Sequence, residues 1–465
     1  MIVFSFGPSS LATHTSGDAV LAGKVTEILG SKTAAFDSLS VMVVDSDGTA
    51  VHAGFGTQAD GRPITPATRF EIGSVAKGLT GMLLASLEDR ELIDSSAAFG
   101  ANAGSPSGPL LADLATHHAG LPRNSPSAWR AARVSLSWLL DRQPRNDTSA
   151  DIVRDVVSAW TRDARFSYSN LGFAGLGVSL AKSQGVAFEA LLRSEVLEPL
   201  KMTDTELLSV GDPVPSDHAI GLGLNYRPAQ PWVSEPWQGA GIGVWSTAQD
   251  LTTLMKAIRN GTAPGIRATT GLRDANERQR IGYGWFVGSI EDQSVVWNGG
   301  QTAGYRSFVA LSQTTGRIVV VLSNSYRAPV DDLALSLLTG TVVGGTSKLS
   351  LVLFYGVAIV MLWTPVRRLR GALRGKSSRF AEVRATTEMF TTIAVAYLII
   401  NWRLVDSTIL YLSVVIGGAA LGASATILSK WSQLPTSIAK RPRLDAITSL
   451  GSGAAALFIL ILLLV

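Results

Sequence analysis

Phe70-Glu71-Ile72-Gly73-Ser74-Val75-Ala76-Lys77 sets a serine and a lysine three residues apart at the head of a long apolar stretch. One helical turn puts Ser74 and Lys77 on the same face, a few ångströms apart. At a helix start, orphan backbone N–H groups and the dipole favour negative charge. A serine hydroxyl becomes a useful nucleophile only when a base takes its proton, and a lysine serves as that base only when burial or a nearby cation makes it neutral. The apolar neighbours Val75, Ala76, Leu79 and Leu83 imply such burial. Spacing alone decides nothing, because Ser437 and Lys440 repeat it in a basic loop far down the chain.

The chain has 465 residues, of which only 16% are charged, and its mean hydropathy is +0.25. That length accommodates two or three domains. The absence of cysteine excludes disulfides, thiol catalysis and cysteine-held metals, and no zinc-ligand spacing is present. The pI of about 9.3 belongs to the tail. From Thr346 onward there are 13 Lys/Arg and 4 Asp/Glu, a net of +9, whereas the 27 basic and 32 acidic residues before it give −5. A basic excess confined to a hydrophobic tail points to a lipid bilayer as partner, not to nucleic acid.

Four apolar stretches follow Thr346, at 349–366, 385–402, 408–428 and 446–465. The first, third and fourth are long enough to cross ~30 Å of hydrocarbon as helices. Glu388 weakens the second, and Trp363, Trp402 and Trp431 lie at stretch ends, as interfacial aromatics do. The first connection carries seven Lys/Arg (Arg367 to Arg384) and the third carries Lys430, Lys440, Arg441 and Arg443. The excess of positive charge places these loops in the cytoplasm and the head outside it. The expected division is therefore 1–17 as the remnant of an export signal, 18–345 as the head and 346–465 as a domain of about four transmembrane helices. The first six residues are apolar, but Gly7-Pro8 interrupts them and no basic segment precedes them, so either a signal or the first span carries the head across.

In the head, the pattern predicts helices at 18–29, 77–92 and 251–258, the last opened by a capping box at Ser246-Thr247-Ala248-Gln249. Strands are predicted at 39–44 and 51–55, around the turn Asp45-Ser46-Asp47-Gly48, and at 294–297, 307–312 and 318–323. Two further stretches carry candidate chemistry. In Phe166-Ser167-Tyr168-Ser169-Asn170-Leu171-Gly172, a tyrosine with a lowered pKa can shuttle protons, and Asn170 offers both a donor and an acceptor for a substrate amide. Alone, the stretch reads more readily as a polar loop before an apolar helix. In Trp297-Asn298-Gly299-Gly300-Gln301-Thr302-Ala303-Gly304-Tyr305-Arg306-Ser307, glycines permit close approach to the backbone, and an N–H there can complete an oxyanion hole. Alone, it reads equally as a hairpin turn.

Together these stretches resemble the serine β-lactamase and penicillin-binding-protein superfamily, in particular its class C-like branch, over residues 18 to 338. Leu114-Ala115-Thr116-His117-His118-Ala119-Gly120-Leu121-Pro122, residues 239–251 and Gly282-Tyr283-Gly284-Trp285 are similar to further segments of that branch, in the same order. The resemblance implies an α/β head, an antiparallel sheet flanked by helices with a helical subdomain, ahead of the all-α membrane domain. It implies Ser74 as the acylated nucleophile, Lys77 as the group that helps deprotonate it and Tyr168 as acid/base. Asn170 would contact a substrate amide, and the Ser74 and Gln301 N–H groups, beside Gly300, would hold the oxyanion. His117 and His118 match a fold segment. No metal or cofactor is implied. The chain departs from the pattern at Asn298, where a lysine or histidine is usual; a neutral amide there forgoes roughly 1.5–3 kcal/mol of charge-assisted bonding. Arg306, eight positions later, is the nearby cation that could compensate, although such an arginine more often pairs on a sheet surface. The expected activity is that of a membrane-anchored serine hydrolase acting on a small-molecule or peptide ester or amide outside the cytoplasm, esterase or D-peptidase in preference to β-lactamase. The other reading is a low-turnover binding or regulatory module of the same fold.

Overall fold

Two uninterrupted apolar strands, Leu39–Val44 and Ile318–Ser323, pair at the centre of the head, and every residue of both is buried. The computed structural model describes residues 14–30, 37–99, 108–127, 147–223, 228–325 and 328–341, with Arg130, Arg133, Val134 and Ser137 between them. The chain divides into two units, Met1–Val343 and Gly344–Val465. The four apolar stretches assigned to the membrane and the first 13 residues lie outside the described residues. Among the described residues no helix is long and apolar enough to cross a membrane.

In chain order, β1 (Thr15–Gly17) leads into α1 (Ala19–Leu29), whose N-terminus is capped by the Asp18 carboxylate accepting from Leu21 N at 2.7 Å. β2 (Leu39–Val44) and β3 (Ala50–Phe55) form the predicted hairpin. β4 (Arg69–Glu71) runs into a single 3₁₀ turn, Gly73–Val75, and then α2 (Ala76–Asp89). A helical region follows, with α3 (Ser149–Ala159) and α4 (Asn170–Gln184). β5 (Glu206–Leu207), β6 (Val244–Thr247) and α5 (Ala248–Arg259) return the chain to a sheet. The last segment holds β7 (Arg273–Asn276), β8 (Gln279–Ile281), β9 (Phe286–Ile290), β10 (Gln293–Gln301), β11 (Arg306–Ser312), β12 (Ile318–Ser323) and α6 (Val330–Thr339).

Nine strands make one antiparallel sheet in the order β1-β3-β2-β12-β11-β10-β9-β8-β7, and β4-β6-β5 make a small second sheet. Successive strand residues point to opposite faces, and the large sheet is covered on both. Val41 and Val43 of β2, Val319 and Val321 of β12, Phe308 of β11 and Trp297 of β10 pack with α1 and α6. Met42 and Val44, Val320 and Leu322, Val309 and Leu311, and Val296 pack into the larger core with α2, α4 and α5. Burial on both faces explains why these strands read as continuous apolar runs without alternation. Each fully buried valine or leucine contributes ~1.5–3 kcal/mol relative to exposure.

The antiparallel sheet flanked by helices, with a helical region inserted, is the architecture expected from sequence. Three details differ. Ser74 sits in the 3₁₀ turn ahead of α2, not in the first α-helical turn. The cap of α5 is Thr247, whose hydroxyl accepts from Asp250 N at 3.0 Å, so the box begins one residue later than predicted. The edge strands β7 to β9 were not predicted, because Arg273–Asn276 and Gln279–Ile281 are short and largely polar and carry no apolar alternation.

Candidate active site

α2 is buried from Ala76 to Leu87, and Lys77 is the sole charged side chain in that buried run. A buried ammonium needs partners. Lys77 Nζ lies 2.8 Å from Ser74 Oγ and donates to the Ala240 carbonyl at 2.8 Å. It also lies 5.1 Å from the centroid of the Tyr168 ring and 5.9 Å from that of Phe173. Lys77 is 1% exposed, whereas Ser74 is only half-buried. The hydroxyl therefore opens outward from an amine sealed behind it.

Tyr168 reaches this pair from the loop before α4. That loop is held at Ser169, whose hydroxyl donates to Pro122 O at 2.7 Å and caps α4 by accepting from Gly172 N at 2.9 Å. Ser169 N donates to His117 Nδ1 at 3.1 Å, and Ser167 N donates to the His117 carbonyl at 2.8 Å. The His117 ring stacks against Tyr168 with centroids 4.4 Å apart. Burial, and then the charges of Lys77, His118 and Arg123, hold the His117 imidazole well below its ordinary range, so it stays neutral and its nitrogen accepts. Burial pushes the Tyr168 phenol up, but the Lys77 charge, hydrogen bonding with Ser74 and Lys77, and the Arg123 charge outweigh it. The net direction is downward from 10.0, toward phenolate. Ser74, Lys77 and Tyr168 thus share one cluster in which the Lys77 charge favours a deprotonated phenol.

The third wall is backbone. A Cβ placed on Gly300 would overlap the Ile72 carbonyl and lie 2.9 Å from Ser74 N. Gly73, at φ +49, answers it, because a Cβ there would come within 2.7 Å of Gln301 N. Only glycines at both places let β10 press against the nucleophile turn. Ser307 fastens the contact by donating to Ile72 O at 2.7 Å. The backbone around Gln301 is thus brought against the turn that carries Ser74 N, the two groups expected to serve a developing oxyanion. Among the described residues no cluster of acidic or histidine side chains has metal-holding geometry.

Residues 25–339 match the protein-family profile described as Beta-lactamase. The chain belongs to the beta-lactamase family. Among curated relatives, "Beta-lactamase-like protein 2" of Dictyostelium discoideum is 25% identical over 54% of this chain and 48% of its own length. A beta-lactamase of Escherichia coli K12 is 28% identical over 33% of this chain and 38% of its own. The chain spans about half or less of the length of these relatives. Among solved structures, the octameric penicillin-binding protein homologue from Pyrococcus abyssi superposes with a TM-score of 0.58 at 22% identity, covering 70% of this chain and 76% of that one. A class C beta-lactamase from Rhodobacter sphaeroides gives 0.55 at 21%, covering 69% and 98%. At these identities the likeness shows the fold. Beta-lactamase-fold proteins of this family are serine hydrolases, and the Ser74–Lys77–Tyr168 cluster supplies the groups such chemistry uses.

The remaining candidates from sequence divide. Asn170 opens α4, and its amide donates to Asn124 Oδ1 at 3.2 Å, two residues from Tyr168. Asn298 is buried and its amide donates to the Gly284 carbonyl at 2.6 Å. One of its two amide N–H groups is thereby committed to the Tyr283-Gly284 turn, which packs on the Lys77 backbone. Arg306 lies away from the cluster. It pairs with Gln301, and this register puts both side chains on the face carrying Phe308 and Trp297, where Arg306 bonds Asp331 of α6 at 2.8 Å. The expected compensation by Arg306 is therefore not what the structure shows, because alternation along β11 aims its neighbour Ser307 at the site instead. Two groups were not singled out from sequence. The Ala240 carbonyl and the Arg123 guanidinium, 5.3 Å from the Tyr168 centroid, reach the cluster through long-range packing. The one signal for Arg123 is its place directly after the Leu121-Pro122 end of a family-like segment.

Proposed function

We propose that the chain is a serine hydrolase that works through an acyl-enzyme on an ester or amide. The observation that carries this is the 2.8 Å approach of a buried Lys77 amine to the hydroxyl of half-buried Ser74, with the Tyr168 ring centroid 5.1 Å from that amine. Ser74 Oγ bonds to the substrate carbonyl carbon while its proton passes to Tyr168 acting as base, a role the neighbouring Lys77 charge favours. The carbonyl oxygen takes negative charge against the Ser74 and Gln301 N–H groups. Tyr168 then returns the proton to the leaving oxygen or nitrogen as that bond breaks. Water repeats the attack on the acyl-enzyme and frees Ser74.

Asn298 argues for an ester, a peptide or an unusual amide in preference to a β-lactam, since it brings no charge beside the serine. Its lack of charge, with one amide N–H already given to Gly284, also favours a second reading, a low-turnover binding module of the same fold. Labelling with a fluorophosphonate, then turnover of D-Ala-D-Ala peptides, short esters and nitrocefin, separates the two. Ser74→Ala abolishes labelling in a folded protein if the hydrolase reading holds; absence of wild-type labelling and turnover selects the binding module.

The reading extends to location. The basic loops after the apolar stretches at 349–366 and 408–428 support a bilayer-anchored chain with the head outside the cytoplasm. External protease should remove the head from intact spheroplasts, and full protection would reverse the orientation.

A further inference from the structure

His117 takes no part in the chemistry above, yet its backbone and its ring both converge on Tyr168. The residue is 2% exposed and stands at φ +61, a left-handed conformation that few non-glycine residues adopt. Such a backbone persists only where its surroundings enforce it, and it recurs at functional sites. Here the carbonyl accepts from Ser167 N at 2.8 Å, and Nδ1 accepts from Ser169 N at 3.1 Å. One residue therefore holds the chain on either side of Tyr168. Its ring lies against the phenol, with centroids 4.4 Å apart and planes tilted by 34°. Phe166, edge-on at 5.8 Å, and Phe173, at 4.9 Å, confine the imidazole further. A ring that only filled space would need neither hydrogen bond. His118, the next residue, instead sets its two ring nitrogens against the Thr116 and Asp274 carbonyls.

Resting on the hydrolase reading above, we infer that His117 is a positioning residue that holds the Tyr168 phenol beside the Lys77 amine through an Nδ1 acceptor on the loop. No bond to His117 forms or breaks. An Nδ1 that accepts leaves the imidazole proton on Nε2 and requires a neutral ring. Burial first, and then the charges of Lys77 from α2 and of His118 and Arg123 from its own segment, keep the ring neutral; Tyr168 is the ionisable group stacked on it. The clamp matters because Lys77, 5.1 Å from the Tyr168 centroid, is the leading charge that lowers the phenol. A loop freed at Ser169 lets the phenol drift from Lys77, and its pKa then rises. Tyr168 must be deprotonated to act as base, so activity at low pH suffers first.

The test uses the full-length protein in detergent, with phenyl acetate turnover measured across pH and fluorophosphonate labelling of Ser74 in parallel. His117→Gly relieves the backbone and removes the acceptor. Its kcat should fall about tenfold or more while KM stays within about twofold, and the acidic limb of kcat/KM should move to higher pH. His117→Asn restores an acceptor near the Nδ1 position and tolerates the left-handed backbone, so it should recover most of the rate and return the limb toward the wild-type position. In a Tyr168→Phe background neither substitution should slow labelling further, because His117 acts through Tyr168. The comparison in that background reads the same way with His117→Asn alone, should the glycine variant not fold. Losses that add to that of Tyr168→Phe, or an acidic limb unmoved in a folded His117→Gly, overturn the assignment of His117 and leave the hydrolase standing. Absence of labelling and turnover in the wild type overturns the hydrolase reading and this inference with it.

Discussion

The two faces of β10 and β11 use the same strands for opposite ends. On the face toward α6, Trp297, Phe308 and Ala310 fill a core, and the last rung ends in the Arg306–Asp331 pair. On the face toward α2, the side chains shrink as the strand runs on, from Val296 to Asn298 to Gly300, opposite Val309 and Ser307. One face fills space and the other clears it. The difference teaches that here catalytic geometry is made by withholding side chains, so that the backbone of β10 can reach the Ser74 turn. Substitutions one residue apart should then have unlike consequences.

The largest contrast is between Gly300 and Gly299. Gly300→Ala drives a methyl into the Ile72 carbonyl beside Ser74 N, and displacing one oxyanion donor costs roughly 10²–10³ in kcat/KM. A Cβ on Gly299 meets the edge of the Phe308 ring at 3.1 Å, on the packing face. Gly299→Ala should retain most activity. Steady-state ester hydrolysis measures both, and equal losses would dissolve the distinction between faces.

Next comes Glu71, three residues before Ser74 and 2% exposed. Its carboxylate accepts from Trp232 N at 2.8 Å, yet burial pushes its pKa up to about 7, with hydrogen bonds from Thr302 and Trp232 pulling the other way. The folded value lies above the ordinary 4.5. The stability Glu71 contributes is therefore complete below about pH 4.5 and is lost as pH rises through about 7. The span is roughly 3 kcal/mol. Urea unfolding from pH 4.5 to 8 should show this decline, and Glu71→Gln should flatten it. A decline that persists unchanged in the variant assigns the titration elsewhere.

How much of this is legible in the sequence follows from range. Ser74 and Lys77 are one turn apart, and a long apolar run with a single charged residue, Ala76 to Leu87, reads directly. The strands from 39 to 44 and from 318 to 323 are equally plain, because burial on both faces leaves nothing but apolar residues. Tyr168 and Gln301 could be joined to Ser74 only through resemblance, since no local rule brings residues a hundred positions apart together. The face on which Arg306 lies was open to error because it depends on register, and one step along a strand reverses every side chain. The positions of His117 and Arg123 depend on how one loop crosses another, for which the chain offers no periodic signal.

The smallest effects give the sharpest comparison, because Arg306 and Ser307 are adjacent. Ser307→Ala removes the 2.7 Å bond to the buried Ile72 carbonyl and leaves it only the Val75 N–H at 3.2 Å. Losing one such hydrogen bond costs about 0.5–1.5 kcal/mol, and loosening the turn that carries Ser74 should lower kcat severalfold. Arg306→Ala breaks a pair whose side chains are 30% and 40% exposed. Solvent screens that pair, so its loss should cost no more than about 1 kcal/mol. Its side chain points away from Ser74, so kcat/KM on a neutral ester should stay within about twofold of wild type, inside the effect of a surface change. Denaturant midpoints and ester kinetics on the two variants decide the matter. If Arg306→Ala were the more damaging to catalysis, the register of β11 against β10 would be wrong by one residue, and the cleared face would be the other one.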